Sequence, residues 1–285
     1  MPRAISGIDH AIVGVRDLEA ARRAYARLGF TATPRGRHYG WGTANYGLMF
    51  PRDYVELLGI VDASQFTNNL DKALAAGEGL LGLAFATDDA AAAKGALAAR
   101  GVEASGPHEL ARAIESDEAG GAEGRLEFSL VRPAPEAAPG LNAFLCQHRT
   151  PGLLRRPPWL AHPNTAQAIA GVTVIVDDPP ALAPTYERLL GEGSTVLTDD
   201  TLAVRTGGAA IVFARVDDLS LLHPEIDFPD RARPFLAALR IAVGERAAAE
   251  RALAASGIEP AGTRRDAIVI DPADACGVAL ELVTD

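Results

Sequence analysis

The chain has 285 residues, 48% of them hydrophobic and 22% charged, with a net charge of −10. That length supports a large core and about two domains, while the acidic balance argues against nucleic acid as the main partner, since phosphate binding needs a basic face. Cys146 and Cys276 form no CxxC pair, the N-terminus lacks a signal peptide's apolar stretch, and no apolar run reaches about 18 residues; a cytoplasmic protein without a membrane partner is expected.

In chain order, GIDHAIVGV (residues 7–15) reads as a strand in which Asp9 and His10 interrupt an apolar run. Period-two alternation puts His10 on a face with Ile8 and Ile12. A helix then starts after Asp17, a good N-cap. It carries Leu18, Ala21, Tyr25 and Leu28 at helical spacing and closes at Gly29. Strand-like segments FTATPR, ANYGLMF and YVELLGI follow, the last with Glu56 at its centre. The same order recurs in LLGLAFATDDAAAAKGALAARGV, closed by Gly101 and followed by RLEFSLV and NAFLCQH. A third unit has a helix start at Pro179 or Pro180, a closing Gly191 and the strands STVLTD, TLAVRT and AAIVFARV. The fourth closes its helix at Gly257 and adds AIVID and GVALELV.

Each unit is therefore a strand, a helix and two or three more strands. The glycine spacings of 72, 90 and 66 residues exceed the roughly 20–50 of solenoids and propellers and suit half of a compact α+β domain. Two units side by side would curve around one cavity. Four predict two domains, residues 1–150 and 165–285, joined by a proline-rich connector at 151–164.

His10 and Glu56 are ligand-type side chains placed in apolar strands. Taken alone, His10 reads as a core histidine hydrogen-bonded to a backbone carbonyl, and Glu56 as an edge acid in water or paired with an arginine such as Arg35. A buried carboxylate is costly, and a cation would offset that cost. The glycine-rich stretch GRHYGWGTANY reads either as a turn or as a cavity rim that presents His38, Trp41, Thr43 and Asn45 to a substrate. His148, just past a strand, is the candidate third ligand or general base. His162 with Asn164 is expected to fix the connector by hydrogen bonds, and His108 and His223 receive no role. Glu281 is a relic of duplication or an arginine partner.

The βαβββ repeat, the DH of the first strand and the YVEL of the fourth resemble the vicinal oxygen chelate superfamily, which includes glyoxalase I, extradiol dioxygenases and bleomycin-resistance proteins. GIDHAIVGVRDLEAARRAYARLGF, GRHYGWGTANYGLMF and QHRTPGLLRRPPWLAHPNTA resemble, more narrowly, its glyoxalase-like domain family. The resemblance implies an α+β fold of four tandem βαβββ modules, forming two domains with curved mixed sheets around a cavity. It also implies a divalent metal (Zn, Ni, Mn or Fe) held by His10 and Glu56. Aligning Asp17 with Asp88 puts Leu81 at the second unit's histidine position and leaves Cys146, Gln147 or His148 as candidates to replace the expected acid. Ala170 or Gly171 stands at that position in the third unit, and the fourth keeps Glu281 without a histidine.

The implied function is a metal-dependent lyase or isomerase acting on a small oxygenated substrate, with Glu56 as a base and His148 as a second catalytic group. The rival is a metal-free, drug-binding protein of the bleomycin-resistance type. A blander reading is a scaffold whose two domains form an oligomer interface, and the chain is compatible with a homodimer.

Overall fold

The computed structural model describes residues 4–115 and 122–284. Its first module runs β1 (Gly7–Gly14), α1 (Leu18–Arg27), β2 (Gly36–His38), β3 (Thr43–Met49) and β4 (Tyr54–Ile60). A short helix, α2 (Leu70–Ala76), leads to β5 (Gly79–Ala86), α3 (Ala90–Ala98), β6 (Ala104–Glu115), β7 (Ala122–Pro133) and β8 (Ala143–His148). The third module is β9 (Ala166–Ile175), α4 (Ala183–Leu190), β10 (Thr195–Thr198), β11 (Thr201–Thr206) and β12 (Ala209–Ala214). After α5 (Leu219–Leu222), the fourth is β13 (Phe235–Val243), α6 (Arg246–Ala255), β14 (Gly262–Thr263), β15 (Ala267–Ile270) and β16 (Ala279–Val283).

Within a module the first and last strands pair in parallel, β1 with β4 and β5 with β8, and the two modules join through antiparallel β1 and β5. The result is a closed barrel in the order β1-β4-β3-β2-β6-β7-β8-β5, which leaves no sheet edge unpaired. The last two modules form an eight-stranded sheet in the order β10-β11-β12-β9-β13-β16-β15-β14. The fold is thus α+β, built from four βαβββ modules on two mixed sheets.

Local chemistry sets the helix ends. Asp17 accepts a hydrogen bond from the Ala20 amide at 2.9 Å and so caps α1. Gly29 follows α1 at φ +83°, a left-handed position suited to glycine. In the second module the capping residue is Asp89, which accepts from the Ala92 amide at 2.9 Å, so the alignment through Asp88 is off by one.

Besides the short α2, α5 and β14, which the sequence reading did not foresee, two stretches depart from it. FTATPR forms no strand, and the short β2 lies just beyond it. β6 was not foreseen, because GPHELARAIE is rich in helix-favouring Glu, Ala and Arg and lacks a clean apolar alternation. Pairing with β7 along most of its length overrides that local preference.

One hydrophobic cluster runs through both halves and includes Phe50, Tyr25 of α1 and Phe85 of β5 from the first, and Tyr186 of α4, Phe213 of β12 and Leu239 of β13 from the second. Polar pins join it: Tyr25 Oη donates to the Ala275 carbonyl at 3.2 Å, and the Ile169 amide donates to Asp53 Oδ1 at 2.8 Å. His162 and Asn164 tie the connecting segment to the barrel as expected. His162 Nδ1 accepts from the Thr31 amide at 3.0 Å, and its Nε2 donates to the Met49 carbonyl at 2.8 Å. Fully buried Asn164 donates to the Leu28 carbonyl at 2.9 Å and accepts from the Ala166 amide at 3.0 Å. Asn164→Ala strands both groups and is expected to lower the unfolding free energy by about 2 kcal/mol. Urea denaturation checks this, and a loss under about 0.5 kcal/mol would contradict it.

Candidate active site

The barrel interior holds a cavity of about 390 Å³. Inward positions alternate along each strand, which brings His10 and Ile12 of β1, Tyr54, Glu56 and Leu58 of β4, and Phe144 and Cys146 of β8 onto its wall. The expected rim residues His38, Trp41 and Thr43 line the same cavity. Asn45 sits behind them, fully buried, and donates through Nδ2 to Glu56 Oε1. His38 Nδ1 shares a hydrogen bond with Thr43 Oγ1 at 2.9 Å, and burial lowers the His38 pKa, favouring a neutral ring. Trp41 meets Phe66 edge-on, with centroids 5.1 Å apart.

The β1 register slips between Ile8 and His10. Asp9 is the extra residue of this bulge, which re-aims its neighbours. His10 therefore shares the cavity with Ile12 but not with Ile8, which packs in the core. Asp9 is 2% exposed. Burial alone would raise its pKa, but the charge of His148 and hydrogen bonds from both imidazoles outweigh burial and hold the carboxyl well below the usual range. As a carboxylate it can only accept. His10 Nδ1 therefore donates to it at 2.7 Å, and His148 Nε2 donates to it at 2.8 Å.

That bond fixes the His10 tautomer and leaves Nε2 facing Glu56 Oε2 at 3.7 Å, too far for a hydrogen bond. Tyr54 stacks on the His10 ring with centroids 4.5 Å apart. A histidine held by a carboxylate at one nitrogen, with the other nitrogen aimed at a second carboxylate, is the donor arrangement of a metal-binding imidazole. A divalent cation fits between Nε2 and Oε2 by donor chemistry. Among the described residues no third His, Cys, Asp or Glu joins this pair within 4.8 Å. Most coordination positions would then fall to water or substrate.

His148 does not line this cavity. It lies on the far side of Asp9, in a neighbouring cleft that Arg52, Asp53, Arg155 and Thr206 also border. His148, the candidate third ligand or general base, thus stands apart from Glu56, with its Nε2 on Asp9. Asp9, Cys146 and His148 do form a ligand-type cluster with donor atoms within 4.8 Å. Burial, then the charges of Asp9 and Glu56, push the Cys146 thiol up, so it stays protonated.

Superposing the helix caps Asp17 and Asp89 shifts the second module by 89 − 17 = 72 residues. His10 then matches Gly82. Glu56, which pairs with Ile12, matches Phe144, which pairs with Ala84. Neither position carries a donor. In the fourth module Glu281 pairs with Arg240 as Glu56 does with Ile12. There the acid is neutralised: His223 Nδ1 donates to it at 2.7 Å, Arg264 Nη2 lies at 2.5 Å and Arg240 Nε at 3.2 Å. Glu281 is thus an arginine partner, and His223, given no role from sequence, plugs the position from a loop. Arg35 pairs with Glu115 and Glu19, not with Glu56.

Sequence reasoning missed Asp9, visible only as a polar neighbour of His10, and Arg112, which lies on the unforeseen β6. The Arg112 Nη1 donates to Asn45 Oδ1 at 2.9 Å.

Four βαβββ modules, with a His and a Glu converging from the first and fourth strands of one of them, define a protein of the vicinal oxygen chelate superfamily. The family model for the glyoxalase-like domain matches residues 8–190, and the chain belongs to that family. No curated protein matches the chain in sequence. Among solved structures, a hypothetical protein from Staphylococcus aureus aligns over 98% of this chain and 99% of its own, with a TM-score of 0.67 at 14% identity. A mutant of 4-hydroxymandelate synthase from Streptomyces coelicolor aligns over 93% of this chain and 78% of its own, with a TM-score of 0.56 at 16% identity. A fusion of a xylose isomerase-like TIM barrel with 4-hydroxyphenylpyruvate dioxygenase aligns over 90% of this chain and 40% of its own, with a TM-score of 0.56 at 14% identity. At these identities the likeness is one of fold. Among the described residues no helix is long and apolar enough to cross a membrane.

Proposed function

We propose that the barrel is a metal-dependent lyase or isomerase for a small oxygenated substrate, with the cation held by His10 and Glu56. The observation that supports this is the Asp9–His10 hydrogen bond of 2.7 Å, which aims His10 Nε2 at Glu56 Oε2 across 3.7 Å of cavity wall. When bound, the cation supplies a Lewis acid that polarises a carbonyl oxygen of the substrate. The protein's own part is positional and acid–base. Asn45 fixes one oxygen of Glu56 and leaves the other facing the cavity. That oxygen is also the one that would hold the cation, so Glu56 would have to leave the cation to take a proton from a carbon next to the polarised carbonyl and return it, as a general base then acid. Trp41, Tyr54 and Phe144 enclose the space and limit water. The free thiols Cys146 and Cys276 accord with a cytoplasmic setting.

A second reading, a metal-free binding barrel, draws on Gly82 and Phe144, which supply no donor where a second ligand pair would stand. Calorimetric titration of manganese, nickel and zinc into chelator-treated protein separates the two. Wild type is expected to bind at least one metal, His10→Ala and Glu56→Gln to lose about tenfold or more in affinity, and Glu281→Gln to bind as wild type. Equal affinity in wild type and His10→Ala sinks the metal site and makes the binding reading the better one.

A further inference from the structure

We infer that the cavity takes its substrate by an anionic group, a carboxylate or a phosphate ester, which Arg112 and Arg132 receive, and that the rest of the ligand is apolar. This deepens the proposed function, resting on the same cavity as that reading, and names the substrate class.

Arg112 is 3% exposed and lines the cavity. One guanidinium nitrogen is held by Asn45, while the buried Nη2 has no hydrogen-bond partner. Among the described residues no carboxylate forms an ion pair with it. Gly36 keeps the space the guanidinium occupies, because a Cβ there would lie 2.2 Å from Arg112 Nη1 and 2.2 Å from Asn45 Oδ1. Arg132 lines the same wall from β7, its guanidinium 5.2 Å from the Phe144 ring centroid. Burial lowers its pKa.

Two guanidinium groups on one wall, Arg112 buried and Arg132 half-buried, with no carboxylate ion-paired to either among the described residues, are costly to hold. Among the described residues Glu56 is the one carboxylate on the cavity wall, so these side chains leave a positive excess of 2 − 1 = 1 there. That excess lies inside a chain of net charge −10. A bound cation would enlarge it, and an anionic substrate offsets it. A guanidinium with a free N–H edge matches planar carboxylate and phosphate oxygens. The remaining wall includes Ile12, Leu58, Leu110, Phe128 and Leu130, which suits an aryl or alkyl body.

The test is calorimetric titration of chelator-treated protein with benzoate, phenyl phosphate and neutral benzamide. At least one anion is expected to bind about tenfold or more tightly than benzamide. A preference for benzoate assigns a free organic acid, and a preference for phenyl phosphate assigns a phosphate ester. Arg112→Leu and Arg132→Leu are each expected to lower anion affinity about tenfold and leave benzamide unchanged. Arg132 makes no hydrogen bond among the described residues, so Arg132→Leu decides the matter if Arg112→Leu does not fold by circular dichroism. Anions that bind no better than benzamide, anions that do not bind at all, or undiminished anion affinity in Arg132→Leu would each overturn the inference. Because no metal is present in the titration, failure of the His10–Glu56 site leaves this result standing, and failure here leaves the metal titration untouched.

Discussion

Asp9→Ala is expected to lower the unfolding free energy by about 3–5 kcal/mol, the range for removing one partner of a buried ionic cluster. Asp9 alone accepts hydrogen bonds from both His10 and His148, and its loss leaves two buried imidazole N–H groups without an acceptor. It also frees the His10 tautomer, so affinity for manganese or zinc should fall about 10–100-fold while His10 itself is intact. Because the folded carboxyl is held below its ordinary pKa, its stabilisation is fully present above about pH 4 and is lost as pH falls further. Urea unfolding at pH 7, with metal calorimetry on the same sample, reads both effects. A stability loss below about 1 kcal/mol would show that Asp9 does not organise the two histidines.

The second large effect runs with opposite sign in pH. Burial raises the pKa of Asp53 from 3.8 to about 7, although the Ile169 amide donates to it. The folded state therefore binds a proton that the unfolded state releases between about pH 4 and pH 7. Stability falls across that window, and the penalty is complete above pH 7. Asp53→Asn keeps the acceptor for Ile169 and has no charge to bury. Its stability relative to wild type should rise by about 2–3 kcal/mol between pH 5 and pH 8. A difference between the two proteins that stays constant with pH would refute this. Asp53 joins the barrel to the second sheet, so the effect concerns the seam between the sheets.

The module repeat was legible because each unit carries its own punctuation. Asp17 caps a helix, Gly29 releases it, and Tyr54–Ile60 alternates so that Glu56 can face inward only with Tyr54 and Leu58. Those are local properties of φ, ψ and side-chain period, and they survive without tertiary context. The pairing of His10 with Glu56 was implied by the resemblance to the vicinal oxygen chelate superfamily, and the parallel pairing of β1 with β4 puts the two on one wall.

Only tertiary structure decided the rest. The β1 bulge is set by the β5 register, and it alone turns Asp9 toward His148 while His10 faces the cavity. β6 exists because β7 offers it a ladder, against its own helix preference, and Arg112 enters the site with it. His223 reaches Glu281 across 58 residues of sequence, a contact that no periodicity encodes. Local spacing in this chain determined its modules, and the resemblance added His10 and Glu56 as a pair. Which charges are buried, which donors are already committed and which guanidinium is left open depend on long-range packing, because burial and partnership are properties of neighbours in space.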